Sequence, residues 1–147
     1  MEQSELVRFL IRAKKKTYAG AGKPTFSSRP ASRDFQYEEG SHSYLDTYLG
    51  AKCFAGEEAV WQDGSPVWAM NYAGRVIGEP FSVDVLKAAL RSVPEDAPFR
   101  GPARFEIGAY TYLCRSEGTT DWFNGKEGIL YQNKKVYECV FHGGTIE

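Results

Sequence analysis

The sequence is poor in the residues on which most catalytic and metal sites depend. It has two histidines and three cysteines. Cys53, Cys114 and Cys139 form no C-x-x-C pair, and no histidines stand at ligand spacing, so neither a metal nor a disulfide framework is expected. Three thiols in a chain of this size fit a reducing cytoplasm, where they act as small apolar side chains. No excess of either charge exists: the net charge is −1 and the pI about 6.2. Such a surface exerts little pull on nucleic acid or an anionic membrane, and neither is expected as a partner. Long hydrophobic runs are missing too. Leu6 to Ile11 is broken by Arg8 and preceded by Glu2 and Glu5, which argues against a signal peptide or a membrane span. No nucleophile elbow or GxGxxG stands in the chain. The stretch GAGKP (Gly20–Pro24) resembles a phosphate loop only in its glycines, without the preceding strand or the Lys-Ser/Thr pair.

What is present is a soluble, globular composition, 42% hydrophobic and 25% charged, with 14% aromatics and 15 glycines. At 147 residues it suits one domain, residues 1–147. Ser4 is a candidate cap for a helix reaching about Lys16, with Leu6, Val7, Leu10 and Ile11 as its apolar stripe and Lys14–Lys16 as a solvated basic end. Gly20 to Arg33 reads as a loop or flap. Four strands are expected near 34–39, 43–49, 57–62 and 66–76, the last two joined by the hairpin turn QDGS. A second helix, capped by Ser82, carries Val85, Leu86, Ala89 and Leu90 inward and ends before Pro94. Strands are expected again near 104–106, 109–115, 128–132 and 135–142.

The order helix, loop, four strands therefore occurs twice, over about 1–78 and 79–147, and the residues agree. YEEGSHSYL (Tyr37–Leu45) aligns with FEIGAYTYL (Phe105–Leu113). FAGEEAVWQDG aligns with FNGKEGILYQNK, and VWAMNYAG with VYECVFHG. The expected fold is α+β: an internal duplication of an α-β-β-β-β unit about a pseudo-two-fold, with two helices on an antiparallel sheet or on two facing ones.

Shared positions are explained by fold: Gly40/Gly108 and Gly56/Gly125 as turns, Tyr44/Tyr112 and Tyr72/Phe141 as packing, Glu58/Glu127 as structural. Function is sought where the copies differ. Asp46, facing Cys114 in the alignment, stands between Tyr44 and Tyr48 on one strand face. Residues Tyr44, Tyr48, Trp61, Trp68 and Tyr72 are expected to line an aromatic pocket, with Asp46 as its anionic anchor and Asn71 or Arg75 at a polar rim. A carboxylate among rings suits a cationic or aromatic ligand. The alternative reading is an enzyme using His142 with a carboxylate such as Glu57 or Asp46 as an acid–base pair. A third is a protein-interaction module.

The phrases FLIRAKKKTYAG, SSRPASRDFQYEEGSHSYLDTYLG, FAGEEAVW, WAMNYAGRV and VYECVFHGG resemble a bacterial family of domains of unknown function. Its members occur alone or fused behind a repressor-type helix-turn-helix. The resemblance implies no cofactor or catalytic residue; by association it implies a sensor that binds a small molecule. The expectation is thus a non-enzymatic, cytoplasmic, sensor-like binding domain with no cofactor, its partner a small-molecule ligand, and with homodimer formation left open.

Overall fold

A computed structural model describes residues 1–147. Helix α1 covers Gln3–Lys16 and α2 covers Val83–Arg91. The first four strands are β1 (Arg33–Glu39), β2 (His42–Gly50), β3 (Cys53–Gln62) and β4 (Ser65–Val76). The others are β5 (Arg104–Ile107), β6 (Tyr110–Thr119), β7 (Trp122–Tyr131) and β8 (Lys134–Thr145). All eight form one antiparallel sheet in the order β1-β2-β3-β4-β8-β7-β6-β5. The sheet is therefore continuous, with two hairpin-linked meanders meeting where β4 pairs with β8. No helix is long and apolar enough to cross a membrane.

Strand alternation sorts the side chains cleanly. Along β4, Trp68, Met70 and Tyr72 are buried while Asn71, Ala73 and Arg75 are exposed; along β8, Tyr137, Cys139 and Phe141 are buried while Val140 and His142 are exposed. Both helices pack on the buried face, and one cluster of 22 buried residues joins them to rings from both meanders. The opposite face of the sheet lies largely open.

Local signals explain most boundaries. Ser82 caps α2 by accepting the Val85 N–H, as its position before the apolar stripe requires. Asp63 and Gly64 take φ of 51° and 81° in the β3–β4 turn, the left-handed pair of a tight hairpin. Ser4, by contrast, lies inside α1; Glu2 flanks the helix and makes no side-chain cap bond. The buried stripe of α1 is Leu6, Phe9, Leu10, Ala13 and Lys14, so Val7 and Ile11 are only half-buried.

The larger correction concerns Gly56 and Gly125, expected in turns. Both lie within strands, which is why β3 and β7 begin earlier than the hydrophobic pattern indicates. Each makes room for a ring. A Cβ on Gly56 would stand 2.6 Å from the Tyr72 hydroxyl, and one on Gly125 would stand 2.3 Å from Cζ of Phe141. Glycine at these sites serves a close side-chain approach, not a bend.

Candidate functional site

Charged groups are buried beneath the helices, and their arrangement follows from strand register. Asp46 on β2 sits directly opposite Glu58 on β3, and both side chains point into the core. Two carboxylates so placed repel each other unless cations intervene. One cation comes from α1. Lys14 Nζ donates to Glu58 Oε1 at 2.6 Å and to the Phe99 carbonyl at 2.9 Å, and the Tyr44 hydroxyl also donates to Glu58 Oε1. Lys14 is thus a buried ion-pair partner, not part of a solvated helix end, because its side chain runs inward from the last turn to Glu58 on β3 and the Phe99 carbonyl.

The second meander repeats the theme with other residues. Glu127 on β7 accepts from Arg100 at 2.5 Å, from the Tyr137 hydroxyl at 2.7 Å and from the Tyr112 hydroxyl. Burial pushes the Glu127 carboxyl up, but the Arg100 charge and these hydrogen bonds outweigh it and hold it below its ordinary value. Burial also drives Tyr44, Tyr72, Tyr112 and Tyr137 well above the usual phenol range, so all four act as neutral donors. At the position of Glu127's cross-strand neighbour stands Cys114, which burial raises to about 11. No second acid competes there.

Asp46 is therefore the odd member: beneath the helices three buried carboxylates, Asp46, Glu58 and Glu127, face two buried cations, Lys14 and Arg100. The fourth buried acid, Asp34, lies apart at the start of β1 with neutral donors around it. The one hydrogen bond to Asp46 comes from the Tyr72 hydroxyl, 2.5 Å from Oδ1. That bond depends on Gly56, which lies between Tyr48 and Tyr72 in register and lets the Tyr72 ring cross β3. Burial, then the Glu58 charge, raise the Asp46 carboxyl to about 7, against the opposing influence of Tyr72, Lys14 and Arg100.

Asp46 and Arg100 lie at the floor of a cleft of about 420 Å³ under α2 and the 17–24 segment. Tyr18, Phe35 and Tyr48 form one aromatic wall: Phe35 stacks with Tyr48 at 6.5 Å, and Tyr18 meets both edge-on. The other wall holds Tyr137, stacked on Phe54 at 6.2 Å and on Phe81 at 5.4 Å. The Arg100 guanidinium lies 5.2 Å from the centre of the Tyr72 ring. A volume of this size falls within the range of small-molecule sites.

The structure brings Asp46, Tyr48 and Tyr72 together in the cleft and places Tyr44 just behind it, bonded to Glu58. Other expected lining residues fall elsewhere. Trp68 is fully buried at the far end of β4, with its indole N–H donating to the Thr120 carbonyl. Trp61 follows a bulge in β3 and does not reach the cleft. Asn71 and Arg75 point to the open face by strand alternation, Arg75 pairing with Glu138 at 2.7 Å. His142 and Glu57 are also on that open face, one on each side of Asn71 and thus two strands apart, about 10 Å by sheet spacing. They form no pair. Sequence reasoning missed Arg100, whose flanking Pro and Gly made it look like part of a plain loop, and Phe54, Phe81 and Tyr137 as cleft walls.

Residues 46–146 match the family described as Domain of unknown function (DUF5680). The chain belongs to this family. The matched segment includes Asp46, Glu58, Tyr72, Arg100 and Glu127, and leaves α1 with Lys14 outside it. No curated protein and no solved structure matches the chain.

Proposed function

We propose that this DUF5680 domain binds a flat aromatic small molecule in the Asp46 cleft, with the Asp46 carboxyl as the head-group anchor. The observation that carries the reading is a carboxyl buried without a cation of its own at the floor of a ring-lined cavity. A group raised to about 7 by burial and by a neighbouring acid gains most from a ligand that supplies N–H donors, since these stabilise its ionised form. The walls supply stacking surfaces on both sides, and an aromatic ring between them gains both apolar burial and ring–ring contact. The concavity favours this reading over a flat interaction surface, and the separation of His142 from Glu57 gives an acid–base enzyme no geometric support.

The proposal includes an internal duplication. The sequence alignment pairs Tyr72 with Phe141, and these two residues also sit opposite each other in the β4–β8 ladder. Met70 opposite Gly143 and Gly74 opposite Cys139 are exchanged by the same relation. On this reading one copy kept a neutral thiol, Cys114, where the other gained Asp46 and with it a binding head.

Thermal-shift titration with benzamidine, guanosine and pterin tests the site. We expect at least one to raise the melting temperature of the wild type, and Asp46→Asn to lose most of that response. Absence of any response, or an equal response from the variant, contradicts the anchor role.

A further inference from the structure

The cleft is not simply acidic. Among its lining residues Asp46 is the one carboxylate, against three cations: Arg100 at the floor, and Arg33 and Lys87 at the mouth. Arg33 and Lys87 form no ion pair, whereas Arg12, Arg75, Arg104 and Lys135, elsewhere on the surface, each have a carboxylate partner. Lys87 Nζ lies 4.9 Å from the centre of the Tyr18 ring, at the edge of the aromatic wall. The floor has two atoms ready for a ligand. Asp46 Oδ2 and Arg100 Nη1 make no hydrogen bond within the protein, and the single buried polar atom without a partner lies elsewhere, at His42 Nε2. Both floor atoms therefore border accessible space, one an acceptor and the other a donor.

Resting on the binding role proposed above, we infer that the ligand is a flat nitrogen heterocycle with an acidic substituent, its ring edge read at the floor and its phosphate or carboxylate held at the mouth by Arg33 and Lys87. Asp46 Oδ2 accepts a ring or exocyclic N–H, while Arg100 Nη1 donates to an adjacent ring nitrogen or carbonyl. That donor-plus-acceptor edge is characteristic of purines and pterins. The two mouth cations disfavour a wholly cationic ligand and reward an anion, the Arg33 guanidinium in a bidentate geometry.

The test compares ligand pairs that differ only in the acidic group: guanosine with guanosine 5′-monophosphate, and pterin with pterin-6-carboxylate. Titration calorimetry is run on the wild type, on the double variant Arg33→Gln/Lys87→Gln and on Asp46→Asn. The acidic member of at least one pair is expected to bind roughly tenfold tighter than its parent, equivalent to about 1.4 kcal/mol. The double variant removes that advantage, bringing the two members of the pair to equal affinity, while Asp46→Asn weakens both members. Raising the salt concentration narrows the gap in the wild type. Parents that bind as tightly as their acidic partners, with both still sensitive to Asp46→Asn, overturn the anion subsite alone. If no member of either pair binds, both the subsite and this ligand class are overturned. Benzamidine that still stabilises the wild type through Asp46 then preserves the binding role itself.

Discussion

At the scale of single residues, Asp46 and Gly56 carry the most consequence. Asp46 has a folded-state value of about 7 against an ordinary 3.8. Below pH 4 the carboxyl is protonated whether the chain is folded or not. Between pH 4 and 7 the unfolded chain releases the proton while the folded one retains it, so this group progressively destabilises the fold as pH rises, and the effect is complete above 7. Asp46→Asn removes that dependence. Its melting temperature relative to wild type is expected to be higher at pH 8 than at pH 5, measured by circular dichroism; a constant offset across this range contradicts the assignment. Gly56→Ala forces a methyl against the Tyr72 hydroxyl and the backbone of β2. It is expected to cost about 1–3 kcal/mol in chemical denaturation, typical of overpacking, and to detach Tyr72 from Asp46. An unchanged denaturation midpoint contradicts that close approach.

At the scale of elements, α1 and the segment after α2 deliver cations to a sheet that carries the acids. Lys14 reaches Glu58 from the last turn of α1, and Arg100 reaches Glu127 from the 92–103 segment. Removing one partner strands the other charge in the core. Arg100→Met is accordingly expected to destabilise by about 3–5 kcal/mol, and the double change Arg100→Met/Glu127→Met by distinctly less than the sum of the single changes. Additive losses in urea denaturation contradict a direct pair. A different tie fixes the start of β1: Asp34, fully buried, accepts from the Ser28 N–H and from the Ser32 and Thr47 hydroxyls. These bonds hold the second part of the 20–33 loop, read from sequence as a flap, against the sheet.

At the scale of the whole molecule, the division between what could and could not be read from sequence has a physical pattern. Period-two alternation and turn chemistry located all eight strands, and the Ser82 cap with its apolar stripe located α2. The same alternation put Tyr44, Asp46 and Tyr48 on one face, and register confirmed it. Long-range placement was not legible. Trp68 shares a face with Tyr72 yet sits one end of a strand away from the cleft, and nothing local distinguishes them. Lys14 has the sequence context of a solvated lysine; only its long-range partners, Glu58 and the Phe99 carbonyl, show that it is buried. Arg100 is invisible to any periodicity because it sits in no regular element.

The central claim is that the Asp46 carboxyl is buried without its own counter-charge at the floor of a ring-walled cleft. Carbon-13 NMR of the Asp46 side-chain carboxyl, titrated from pH 3 to pH 9, measures this directly. A midpoint near 7 is predicted; a midpoint near the ordinary aspartate value of about 3.9 contradicts it.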